Sequence, residues 1–295
     1  QKGNDTLNFA ASTNSTYDAG AGTNWITGTG ALTSSSVMGG SGGDTLYMTA
    51  NTGKYYGKGG ADSLYVTMTS GSVFGGSSAG DTAAGNDTLG IISQAGGKAD
   101  MGAGANYISA VGAISGGTIS SGSGSDTFAT ASVFHGQRLG LGDGADSLSF
   151  AGAVTGTGTY IGAGAGNDTL SFTSTVSSAS IIGGTGNDSI AFTAAAATTT
   201  SGVAQGYNYF YEGGTDTLFF TGNTTNTGTV MTFNVLDSLY DSVATEVRTG
   251  TGINVVGTSG TSDTTIAYVL GLSQAANVIA SEVSSSVIDS VTSLG

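Results

Sequence analysis

The chain has no cysteine and no proline, one tryptophan, one histidine and six lysines and arginines among 295 residues. Without cysteine, neither disulfides nor thiolate-bound metal can hold the fold together. Proline cannot donate to a strand ladder, so its absence fits a structure in which most strands are paired on both sides. Six cationic residues against twenty acidic ones leave a net charge of −14. That is the wrong sign for nucleic acid or an anionic membrane surface, and the right one for collecting cations. No apolar run reaches the roughly 18 residues that a membrane-crossing helix needs. A chain opening on Gln1 is expected to be a processed product or a piece of something longer.

Glycine is abundant instead, with 53 residues where an ordinary chain has about 7%. It recurs in register. Eleven times the chain writes Gly-x-(Asp/Asn)-x-(large apolar), from Gly3 to Leu218. The third position holds Asp5, Asn24, Asp44, Asp62, Asp87, Asn106, Asp126, Asp146, Asp168, Asp188 and Asp216. Steps between them run from 18 to 22 residues, apart from 25 before Asp87 and 28 before Asp216. A fixed period of this size reads as a repeat architecture in which stacked units share one core. The two long steps place extra loops near residues 75–84 and 194–208.

One unit explains the pattern. In Gly39–Met48 the glycine-rich half is a turn, and after Asp44 the chain alternates as a half-buried strand does. Leu46 and Met48 face inward, Thr45 and Tyr47 outward. The second inward position is filled elsewhere by Phe9, Val66, Ile91, Phe150, Phe172, Phe192 and Phe220. A second strand is expected halfway round, at Val37-Met38, Tyr55-Tyr56, Val73-Phe74, Tyr160-Ile161, Ile181-Ile182 and Phe210-Tyr211. Two short strands and two turns per unit predict an all-β, parallel, two-sheeted solenoid of about eleven coils over residues 1–222.

The best-formed copies, Gly183-Gly184-Thr185-Gly186-Asn187-Asp188-Ser189-Ile190-Ala191, Gly39-Gly40-Ser41-Gly42-Gly43-Asp44-Thr45-Leu46-Tyr47 and Gly164-Ala165-Gly166-Asn167-Asp168-Thr169-Leu170, resemble the nonapeptide of the repeats-in-toxin (RTX) calcium β-roll. The resemblance implies Ca²⁺ ions in a row, held by Asp carboxylates and glycine-turn carbonyls of successive coils, with the eleven Asp and Asn positions above as ligands. Calcium takes six to eight oxygens in a tolerant geometry, and stacked carboxylates repel unless a cation sits between them. The family repeats the motif about every nine residues. Here the longer step implies one calcium edge and one plain turn edge, with roughly six to nine ions. Asn24 and Asn106 weaken two sites, and Asp5 and Asp216 are expected to be half sites. The plainer alternative is a solenoid whose Asp and Asn only shape turns.

Calcium affinities of about 10⁻⁴–10⁻³ M suit extracellular modules. The resemblance therefore implies an extracellular or cell-surface protein exported by type I secretion and folded by the metal outside the cell. Residues 223–295 lose the glycine spacing. Leu236, Leu239, Tyr240, Val243 and Val247 predict a helix over 234–247, capped by Asn234 and stopped at Gly250. Thr264–Leu270 reads as a strand, and Asn277–Leu294 fits either a strand or a helix. The region is a cap, an assembly module or a secretion signal.

No catalytic constellation emerges, and the chain is expected not to be an enzyme. Gly39-Gly40-Ser41-Gly42-Gly43 matches a serine-nucleophile pattern, but the single His135 stands in another turn. A structural protein that self-associates into a surface layer, filament or matrix fits best. The alternatives are an adhesin or virion-surface module with a cell-surface or glycan partner, and an ice-binding roll. For the last, only Thr185-Gly186-Asn187 has the expected triplet.

Overall fold

Backbone hydrogen bonds in this chain run from each turn of a coil to the equivalent residues of the next. The computed structural model describes residues 2–49, 51–76, 85–176 and 178–192. Beyond these it describes the strands Asn208–Phe210, Thr217–Phe220, Thr229–Met231, Ser238–Asp241, Glu246–Thr249, Ile253–Gly257 and Asn277–Ala280. The fold is an all-β, parallel, two-sheeted solenoid of about nine turns, against the eleven coils expected. Eleven motif copies delimit ten turns, and the last of these runs through residues outside those described.

The chain divides into two compact units, Gln1–Leu148 and Ser149–Gly295. In the first, the motif strands Thr6–Phe9, Trp25–Gly28, Thr45–Met48, Ser63–Met68, Thr88–Gln94, Tyr107–Ala110 and Thr127–Thr130 stack in that order. Their register superposes the motif: Leu7 on Ile26 on Leu46 on Leu64 on Leu89 on Ile108 on Phe128. The second sheet stacks Val37 on Tyr55 on Val73 on Ala99 on Ile119 on Leu139. Apart from Leu7, which is half-buried, these apolar residues are sealed from solvent and face each other across the coil. Where the second inward position holds only Gly28, the Phe9 ring and the Met48 sulfur occupy the space a Cβ would need.

In the second unit, Thr169–Phe172, Ser189–Phe192 and Thr217–Phe220 stack in parallel with the same register. Phe150 and Phe172 are stacked rings, 4.9 Å apart and 7° from parallel. The register then continues to Ser238–Asp241 and Asn277–Ala280. The helix expected over 234–247 is therefore not formed: Ser238–Asp241 is a strand of the motif sheet, and Glu246–Thr249 pairs antiparallel with Ile253–Gly257. Ser238-Leu239-Tyr240 repeats the Ser63-Leu64-Tyr65 of an earlier rung. An open sheet edge offering a row of unpaired backbone groups favours such a sequence as a strand over an isolated amphipathic helix. Thr264–Leu270 lies outside the described residues, as does most of each long insertion.

Two departures refine the expected cross-section. Strands Lys98–Asp100, Thr118–Ser123 and Arg138–Asp143 complete the second sheet at places where none is expected from the sequence. A third short strand also appears on the plain edge of some turns, at Ile114–Ser115 and Phe134–His135 in the first unit. It buries Ile114 and Phe134 completely and leaves His135 exposed.

Close approach of turn to turn sets the strictest local constraint. Gly40 has φ +120°, and a Cβ there would overlap the Gly20 carbonyl. At Gly59, in the same turn as Gly60, a Cβ would meet nothing within 4 Å. Gly40→Ala is expected to destabilise by at least about 3 kcal/mol, combining positive-φ strain with a backbone clash. Gly59→Ala should stay within about 0.5 kcal/mol. Urea denaturation of the two variants checks this.

Candidate functional site: a buried acidic ladder

The motif places one Asp or Asn at the same point of each turn, directly before a motif strand. All from Asn24 to Asp188 are at most 2% exposed, which is rare for carboxylates. Asp216 lies outside the described residues. The burial follows from the turn itself, where the motif glycines stack on one another. A Cβ on Gly22, Gly42, Gly60, Gly104, Gly124 or Gly144 would overlap the carbonyl of the motif glycine one turn earlier. Only glycine lets the coils close over the acid.

The side chains form a hydrogen-bonded ladder. The backbone N–H of Asp5 donates to Asn24 Oδ1 at 2.9 Å, that of Asn24 to Asp44 at 2.8 Å and that of Asp44 to Asp62 at 2.7 Å. Asp62 donates to Asp87 at 2.8 Å, Asp87 to Asn106 at 2.9 Å, Asn106 to Asp126 at 2.6 Å and Asp126 to Asp146 at 2.7 Å. In the second unit, Asp168 N–H donates to Asp188 Oδ1 at 2.9 Å. Each rung therefore satisfies a backbone donor of the turn before it.

The other side-chain atom separates Asn from Asp. Asn24 Nδ2 donates to the Gly39 carbonyl at 3.2 Å, and Asn106 Nδ2 donates to the Gly102 and Gly104 carbonyls at 3.2 and 3.1 Å. At Asp5, Asp44, Asp62 and Asp87 the corresponding atom is Oδ2, buried and receiving no hydrogen bond. Its neighbours are turn glycines: a Cβ on Gly39, Gly57 or Gly75 would run into Oδ2 of Asp44, Asp62 or Asp87. The same positions are walled by the Gly57, Gly75 and Met101 carbonyls. An acceptor has been placed among acceptors.

Burial pushes these carboxyls up. Asp62 is raised to about 6 and Asp87 to about 7, in both cases by desolvation first, offset by the backbone N–H each accepts and raised further by the neighbouring ladder carboxylate. Asp44 and Asp126 are raised for the same leading reason. Only a proton or a cation can relieve such an arrangement. The oxygen-only donor set fits a hard ion such as Ca²⁺. Among the described residues no three acidic, histidine or cysteine side chains converge on one point. A cation here would take Asp44, Asp62, Asp87 or Asp126 together with turn carbonyls. The two Asn rungs carry their own donors and need no ion.

A parallel file went unread in the sequence. Asn4 Oδ1 accepts the Thr23 N–H, Asn86 Oδ1 the Ala105 N–H and Asn167 Oδ1 the Asn187 N–H, each one turn on. This exposed Asn stands just before the motif Asp, so its signal was present but masked by the stronger column beside it. Compared with protein-family models, curated proteins and solved structures, the chain matches none.

The raised carboxyls fix the sign of a pH effect. Unfolded Asp titrates at about 3.9, so between that pH and about 7 the folded, metal-free chain binds protons that the unfolded chain has released. This contribution is complete below about pH 4 and is lost as pH rises through the folded values. In chelator, the urea midpoint is expected to be higher at about pH 5 than at about pH 8. Asp87→Asn, which supplies its own donor as Asn24 and Asn106 do, should flatten that difference.

Proposed function

We propose that this chain is a secreted, calcium-hardened structural protein that forms or decorates an extracellular assembly such as a surface layer, filament or matrix. The carrying observation is the set of buried carboxylates at Asp44, Asp62 and Asp87, whose Oδ2 atoms face turn carbonyls without a donor. The repeated Gly-x-Asp motif, with its resemblance to RTX rolls, supports the choice of calcium over protons. Ions bound between successive turns add a further link to the strands and the side-chain ladder that already join them, and their binding energy adds to folding. A fold that needs roughly millimolar calcium is suited to the outside of a cell, which supports export before folding. Repeats fill most of the chain and carry no nucleophile–base pair, which supports a structural over a catalytic role.

At about 5 mM calcium, each site with a dissociation constant of about 10⁻⁴–10⁻³ M stabilises by about 1–2 kcal/mol. Several such sites should raise the melting temperature by many degrees, chelator should reverse the rise, and Asp87→Asn should diminish it. Circular dichroism during calcium titration measures this, and a melting curve indifferent to chelator refutes the calcium reading. Electron microscopy of the calcium-loaded chain should then show filaments or a lattice. A chain that binds calcium yet stays monomeric at high concentration refutes the assembly half alone.

A further inference from the structure

The outward face of the motif sheet in Gln1–Leu148 has a composition unlike the rest of the chain. Between Thr6 and Ala129, both outward positions of each motif strand hold hydroxyl, aromatic, amide or small side chains, and none is charged. In one column Trp25 and Tyr107 stand four turns apart, with the hydroxyls of Thr45, Ser63 and Thr88 in register between them. In the next column Tyr47 precedes Tyr65, their rings 6.2 Å apart, and Gly90 follows. A Cβ on Gly90 would strike the Tyr65 ring, so that ring lies over the Gly90 backbone and prolongs the strip by a turn. Trp25 is 54% exposed and Tyr107 46%, and Tyr47 and Tyr65 are also exposed. Trp25 Nε1 donates to Thr27 Oγ1 at 2.9 Å, which steadies the indole across the strand.

From this face we infer a binding platform for an uncharged, β-linked polysaccharide, seated along the Trp25–Tyr47–Tyr65–Tyr107 strip. Four rings over five turns span about 19 Å at the spacing of parallel strands, the length of a few linked sugar rings. A hexopyranose with equatorial hydroxyls offers flat C–H faces that stack on aromatic rings and displace their water, while its hydroxyls reach the Thr and Ser column. Charge points the same way. In a chain of net charge −14 this face is electrically blank, so it fits a neutral partner better than an ionic one. Its outward positions also lack the Met and Arg that protein interfaces favour beside aromatics. The inference stands apart from the calcium reading, and either can fail alone.

Trp25 is the only tryptophan in the chain and so reports on its own site. Cellohexaose titrated into the full chain in calcium-containing buffer should shift the Trp25 emission to the blue and saturate. Coiled maltohexaose and a sulfated oligosaccharide should have little effect. Tyr47→Ala and Tyr107→Ala should each weaken binding about three- to tenfold, the scale of one aromatic contact. Lys54→Ala, on the other sheet, should leave binding unchanged, and far-ultraviolet dichroism verifies that every variant is folded. No emission change with cellohexaose up to millimolar concentration overturns the inference, as does an unaltered response in Tyr107→Ala. An emission shift produced by concentrating the protein without sugar would assign the face to a second copy of the chain instead.

Discussion

From Asp5 to Asp146, and again from Asp168 to Asp188, each coil closes because a side-chain oxygen of the next turn accepts the backbone N–H that precedes each motif strand. That N–H is buried at a bend where no strand partner reaches it, and an unsatisfied buried donor costs about 1–3 kcal/mol. An Asp or Asn at the same point of every turn removes the cost repeatedly, at 2.6–2.9 Å. The same bond sets the stacking distance, and the stacking distance is what forbids a Cβ at the motif glycines. Glycine and acid are thus one constraint rather than two conserved-looking letters. The apolar columns follow, because a coil held at fixed height must bring Leu46 over Ile26 and under Leu64.

Asparagine alone would have satisfied this geometry. Its Oδ1 takes the N–H and its Nδ2 caps turn carbonyls, as Asn24 and Asn106 demonstrate. Most rungs nevertheless carry Asp, and at Asp44, Asp62 and Asp87 that leaves a second, buried acceptor beside turn carbonyls with no donor. A choice that costs stability in the bare chain, repeated turn after turn, makes sense if the missing positive charge arrives from solution. This difference between the two rung types argues for a cation more directly than the motif does.

Much of this was legible because the motif repeats. The period fixed the fold class, and the outward or inward sense of Leu46, Met48, Val66 and Phe150 followed from alternation after the Asp. The failures have physical causes. Leu236 to Val247 has helical spacing, yet Ser238–Asp241 joins a sheet, because a neighbouring strand's free hydrogen-bonding groups outweigh local periodicity. Strands around Ala99, Ile119 and Leu139 were silent because a buried column accepts any apolar residue of fitting size. The plain-edge strands at Ile114 and Phe134 were invisible for a different reason: two residues are too few to show a period. Which oxygen of each Asp would be bonded and which bare could not be read at all, since it depends on the height of the next coil.

The net charge acquires a different meaning once the ladder is in place. Of twenty acidic residues, nine are motif Asp, and those described from Asp44 to Asp188 are buried at the turn edge rather than spread on the surface. A good part of the acidity in this chain is therefore internal rather than displayed on its surface. The remaining charge is sorted by face. Lys54, Lys98 and Arg138 share one column of the second sheet, with Ser72 and Thr118 between them. Lys58 and Lys98 hold Asp18 and Asp100 at 2.9 and 3.0 Å. The motif sheet of the first unit presents no charge at all. A solenoid kept soluble only by diffuse surface charge has no reason to keep one long face neutral and aromatic while pairing ions on the other. In the first unit the buried acidic edge, the charged sheet and the uncharged motif sheet are thus three chemically distinct surfaces.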